Sequence, residues 1–98
     1  VYQNDGNHKK TMELENEAEP ILEKYWPYHL GEIYDVRAHH YECMAEKMYD
    51  IFIGSLKDEQ YSKAKTIERY IHQFKQMELK CWEKALELKK KYKKLILF

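Results

Sequence analysis

Glycine and proline are scarce in this chain. Three glycines and two prolines occur in 98 residues, and neither type appears anywhere in residues 58–97. A chain so poor in turn formers has few corners and must be built from a few long elements. It has no Gly-rich loop to cradle a phosphate and no CxxC pair. Its two cysteines, Cys43 and Cys81, make no disulfide framework; both fall on or near apolar helical positions and are expected to be reduced and packed. Net charge is missing too: seventeen basic and seventeen acidic residues cancel, so no overall field draws the molecule to nucleic acid or an anionic membrane. No run of eighteen apolar residues exists to span a bilayer. The expectation is a soluble chain. Its unpaired cysteines slightly favour a cytoplasmic setting, while the Val1 start also fits a processed, secreted product.

What is present is charge of both signs, 35% of the chain, and aromatics, 14%, of which nine residues are tyrosines. That aromatic content excludes a disordered chain, and the length suits one domain with a modest core. The strongest pattern lies in residues 58–97, where Ala64, Ile67, Ile71, Phe74, Cys81, Ala85, Leu88, Tyr92 and Leu95 recur at steps of three and four, with one gap at Glu78. The spacing predicts one long amphipathic helix over about 57–97, roughly 60 Å at 1.5 Å per residue. Such a helix cannot bury its stripe alone, so other parts of the chain or a second copy must cover it.

Upstream, Asn4-Asp5-Gly6-Asn7 is a turn signal, and residues 1–10 are expected to be a frayed or disordered arm. Helical periodicity then predicts elements at about 17–26 and 29–53 within a single helical domain over 11–98. Thr11 or Asn16 can cap the first of these, the latter placing Pro20 near the first turn. Pro27 interrupts, and no capping residue precedes it, so the break is a kink or an uncapped corner. Gly54 suits a left-handed helix end, with Ser55 and Asp58 placed to cap the long C-terminal helix.

The fold class is therefore all-α, an elongated antiparallel helical hairpin or a three-helix bundle with one long C-terminal helix. In the first arrangement the early helix continues past a kink at Pro27 and covers the far end of the long helix. In the second it folds back and leaves that end for a partner. Charge matches the first: Glu13, Glu15, Glu17, Glu19 and Glu23 would face the lysines of residues 80–94. A turn at Gly54-Ser55 sets Ile33 near Met77, so the middle helix reaches only to Lys80, and a homodimer completing a four-helix-like core, with coiled-coil packing, is expected.

Histidines and carboxylates recur near the middle, at His39, His40, Glu42, Cys43, Glu68 and His72. Helical phase points His39 and His72 away from the seam, so no metal and no cofactor is expected. Arg37 and Glu78 stand where apolar residues belong; on facing arms about one turn apart, they are expected to form a structural ion pair. Ser55 and Ser62 lie at or near the turn, and no nucleophile has a base at catalytic spacing.

These features point to a non-enzymatic module that binds a partner protein or itself. The candidate contacts are Tyr25, Trp26 and Tyr28 around the Pro27 break and Trp82, Leu86, Tyr92 and Ile96 on the long helix, residues the hairpin covers least. The rival reading is a nucleic-acid or anionic-membrane contact through the basic helix end, Lys89, Lys90, Lys91, Lys93 and Lys94. As structure, the same lysines suit the negative end of a helix dipole.

Overall fold

A computed structural model describes residues 8–93. Over these residues the chain forms three α-helices and no strand: α1 is His8–Tyr25, α2 is Leu30–Lys57 and α3 is Tyr61–Lys91. A 3-10 turn, Pro27–His29, joins α1 to α2. The all-α expectation holds, and the molecule measures 58 × 23 × 18 Å.

α3 runs 31 residues without interruption, as its stripe and its lack of Gly and Pro demand. It closes with the Tyr92 amide donating to the Leu88 carbonyl at 3.0 Å and with Lys89, Lys90 and Lys91 in its last turn, where the dipole favours cations. The expected extension to residue 97 falls partly outside the described residues.

The reversal between α2 and α3 comes later than the glycine suggested. Gly54 and Ser55 stay inside α2, and Ser55 Oγ donates back to the Ile51 carbonyl at 2.9 Å rather than capping a new helix. The residue that turns left-handed is Glu59, with φ 58°. Around it the Gln60 amide donates to the Ser55 carbonyl at 2.8 Å and the Glu59 amide to the Leu56 carbonyl at 3.1 Å, the two bonds of a Schellman stop. The physical reason is that local hydrogen bonding outweighs the cost of a non-glycine residue in this conformation, about 1 kcal/mol. α3 accordingly starts at Tyr61 instead of residue 57.

Moving the turn moves the register by about two helical turns. α2 and α3 pack antiparallel, with Gly31 against Ala85, Tyr41 stacked on Phe74 at 6.3 Å and Asp35 bonded to Lys89. Heptad steps then set Gly31, Ala38, Ala45 and Phe52 of α2 level with Ala85, Glu78, Ile71 and Ala64 of α3. A small residue in each pair lets the helices approach closely. α2 thereby covers α3 as far as Leu88, past the Lys80 limit expected from the earlier turn. The core is thin: the buried apolar residues are Leu30, Ile33, Ala38, Ala45, Ala64, Ala85 and Leu88, mostly alanines.

α1 starts at His8, so Lys9 and Lys10 are helical rather than part of an arm; residues 1–7 lie outside the described residues. Pro20 sits inside α1 instead of in its first turn, where it removes one backbone donor. At Pro27 the chain reverses. Asn16 and Glu19 of α1 reach Arg37 of α2, and Glu15 reaches His40, contacts that a helix continuing past a kink could not make. The extended arrangement suggested by the acidic and basic segments is therefore not the one adopted. The carboxylates of α1 answer a buried arginine of α2 in place of exposed lysines of α3, because a buried charge without a partner is far more costly than an exposed one.

Candidate interaction surface

α1 packs on α2, with Met12 and Asn16 reaching a cleft shared with Met77 and Cys81 of α3, and no described element covers the opposite side. On the covered side the chemistry is polar. Arg37 is only 8% exposed; its Nη2 donates to Asn16 Oδ1 at 2.6 Å and sits 2.8 Å from Glu19 Oε1, while its Nε lies 3.9 Å from Glu15 Oε1. The guanidinium also stacks over the Tyr34 ring, 4.9 Å from its centroid, and the Tyr34 hydroxyl donates to Glu19 Oε2 at 3.0 Å. His40, 0% exposed, places Nε2 3.2 Å from Glu15 Oε2. Burial works against the Arg37 charge, but the hydrogen bond and charge of Glu19 outweigh it and hold its pKa above the ordinary arginine value. Burial, reinforced by Glu19, likewise raises the Tyr34 phenol.

The expected Arg37–Glu78 pair is not made. With the later turn, Glu78 falls level with Ala38; it pairs with Lys75 at 3.8 Å and accepts from Trp82 Nε1 at 3.5 Å. Arg37 turns instead to Glu15, Asn16 and Glu19 of α1, which lie on neither arm of the α2–α3 hairpin. The signal was there in the i, i+4 carboxylates Glu15 and Glu19 flanking an amide, a row that fits a guanidinium fork.

On the open side, Lys75, Leu79, Trp82 and Leu86 follow at i, i+4, i+7 and i+11, one edge of α3. Trp82 is 41% and Leu86 59% exposed. At the Lys75 end of this row, between α2 and α3, opens a cleft of about 540 Å³ lined by Ala45, Glu46, Tyr49, Asp50, Ile71 and Lys75.

The corner residues Tyr25, Trp26 and Tyr28 are all exposed, with the Tyr25 and Trp26 rings 5.9 Å apart. Register places them at the end of the molecule where α3 finishes, near Leu86; Tyr92 there is half-buried, and Ile96 lies outside the described residues. Of the basic helix end, Lys89 is bonded to Asp35 of α2 and Lys91 lies over the Tyr92 ring at 5.3 Å, while Lys90 and Lys93 are exposed and Lys94 is outside the described residues.

The thiols are free and half-buried. Cys43 Sγ lies 3.6 Å from His39 Nε2 on the outer face of α2, and burial, with Glu46 and Glu42 nearby, raises its pKa. Burial raises Cys81 as well, against the pull of Arg37, and the Tyr41 phenol beside it. Thiols so held stay protonated and are weak nucleophiles. His40 is turned to Glu15 of α1; among the described residues no three His, Cys, Asp or Glu side chains gather to hold a metal. No described helix is long and apolar enough to cross a membrane.

No family model matches the chain, and no curated protein or solved structure matches it significantly.

Proposed function

We propose that the three helices work as a small bundle, an α2–α3 hairpin with α1 laid on one side, whose role is non-enzymatic binding of another protein or of a second copy. The observation that carries this reading is the open α3 edge: Leu79, Trp82 and Leu86 are left exposed in a row, while the buried seam is mostly alanine. A chain with few large residues in its core and several in a row outside it gains by covering that row. Tyr25, Trp26 and Tyr28 supply a second aromatic patch at the corner. The basic helix end is the weaker reading, since Lys89 is already occupied by Asp35.

A photo-cross-linking side chain at position 82 or 86, compared with one at the exposed outer position Lys65, tests the reading in the native host cell. A discrete protein adduct from 82 and 86, lost when the neighbouring edge residue is changed to Lys, is the expected result. Equal, diffuse labelling from all three positions would contradict it. The rival is read by nucleic-acid and anionic-vesicle titrations at two salt concentrations.

A further inference from the structure

The corner that carries α1 is one residue wide. The Trp26 amide still donates to the Leu22 carbonyl at 2.8 Å, completing the α1 ladder, and the His29 amide already donates to the Trp26 carbonyl at 3.0 Å in the next turn. Between Tyr25 and Leu30 only Trp26, at φ −140° and ψ 62°, leaves helical conformation. Neither Trp26 nor His29 fastens the corner with a side-chain cap. Pro27 is compatible with the present corner and with an open kink, because the residue before a proline is already turned away from the α region. The direction of α1 therefore hangs on two dihedral angles.

The seat of α1 is specific, yet its packing is loose. Besides Tyr34 of its own helix, the groups that meet Arg37 are the α1 side chains Glu15, Asn16 and Glu19. Clefts of about 450 and 330 Å³ open on its two flanks. The outer face of α1 carries its own apolar row, Leu14, Ile21 and Tyr25, all more than half exposed, which runs into the aromatic corner. A helix that fits the Arg37 seat must present two carboxylates four residues apart with an amide beside the first, and α1 of a second copy does so by identity.

We propose that α1 is exchanged between two copies of this chain. Opening at Trp26 carries each α1 across, so that each buried Arg37 is answered by Glu15, Asn16 and Glu19 of the other copy. The seat contacts are the same in the closed and exchanged forms; the balance is set by the tethered helix's effective concentration, around millimolar, and by what new surface the open form covers. In the exchanged form the two corners lie together, giving Tyr25, Trp26 and Tyr28 of both copies something to bury against. This goes beyond the proposed interaction role, which needs only the α3 edge and survives if exchange fails.

The test uses the 98-residue chain carrying Met12→Cys and Cys43→Ser, because Met12 and Cys81 line the same cleft across the α1 seat. Isotopically light and heavy chains are mixed at about millimolar concentration, oxidised mildly and digested. Exchange predicts peptides joining positions 12 and 81 in which light and heavy halves are mixed, rising towards half of all such pairs. Pairs that are entirely light or entirely heavy, whether from monomers or from a dimer formed at the α3 edge, would overturn it. A second arm mixes Arg37→Glu with the Glu15→Arg/Glu19→Arg double variant. Exchange predicts a mixed dimer that neither forms alone, and an unchanged sum of the separate species speaks against it.

Discussion

The Arg37 guanidinium lies 2.8 Å from the Glu19 carboxylate, across the gap between two helices that meet at a proline corner. This pair and its neighbours determine which way α1 runs. α1 contributes few large buried apolar groups, since Leu14 and Ile21 face outward, so the polar cluster carries much of its attachment. Breaking a buried ion pair by removing one partner costs about 3–5 kcal/mol, and a part-exposed one less.

Glu15→Ala is therefore expected to be the most damaging change on α1, because Glu15 is 13% exposed and serves both Arg37 and His40. Glu19→Ala should cost about 1–2 kcal/mol, since Arg37 keeps Asn16 and Glu15. The double variant should cost less than the sum, as both residues serve one guanidinium. Urea unfolding followed by circular dichroism measures the totals. Hydrogen exchange should show the loss concentrated in α1, with α3 amides little changed.

The turn offers a sharper contrast. Glu59 holds a left-handed backbone, so Glu59→Gly should stabilise the protein by about 0.5–1 kcal/mol. Gly54 sits within α2 with open space where a Cβ would go, so Gly54→Ala should also stabilise, by about 0.5–1 kcal/mol. Had Gly54 been the helix stop, the second change would destabilise. Gly31→Ala should gain less than Gly54→Ala, because its Cβ would come 2.9 Å from Lys89 Cγ and push that lysine off Asp35. Thermal midpoints of the three variants settle the order.

Alkaline pH should weaken the fold. Tyr34, Tyr41 and Cys81 all have pKa values raised above their ordinary 10.0, 10.0 and 9.0, in each case chiefly by burial. The unfolded chain releases these protons at the ordinary values, while the folded chain holds them longer. Stability is therefore fully present below about pH 9 and falls as pH rises through and beyond that range. Urea midpoints at about pH 8 and pH 10.5 should show the fall. Tyr41→Phe and Cys81→Ser should each make it shallower, and a fall as steep in the double variant would contradict the assignment.

How much of this is legible in the sequence depends on the range of the interaction. The long rod of α3 can be read because Ala64, Ile71, Ala85 and Leu88 repeat within the helix itself. The turn is misplaced by its glycine, because the left-handed residue is a glutamate stabilised by bonds to the Ser55 and Leu56 carbonyls. From that shift come the register, the reach of α2 to Leu88 and the separation of Arg37 from Glu78. The reversal at Pro27 is not legible, since Glu15 and Glu19 complement the lysines of α3 as well as Arg37. Three-dimensional burial of Arg37 decides between them. The exposure of Tyr25, Trp26, Tyr28 and Trp82 is legible, because they sit at the break and on the flank of the long stripe, where the hairpin covers least.

The placement of α1 is tested most directly by a spin-label distance between positions 9 and 47, both exposed and both free of the cluster. Lys9→Cys and Lys47→Cys, with the native cysteines replaced by Ser, are labelled in dilute solution and measured by double electron–electron resonance. A folded-back α1 predicts a distance below about 30 Å, two helix diameters plus the labels. A distribution centred near 57 Å, the span of 38 residues at about 1.5 Å each, would mean that α1 runs on past Pro27 and would contradict the folded-back placement.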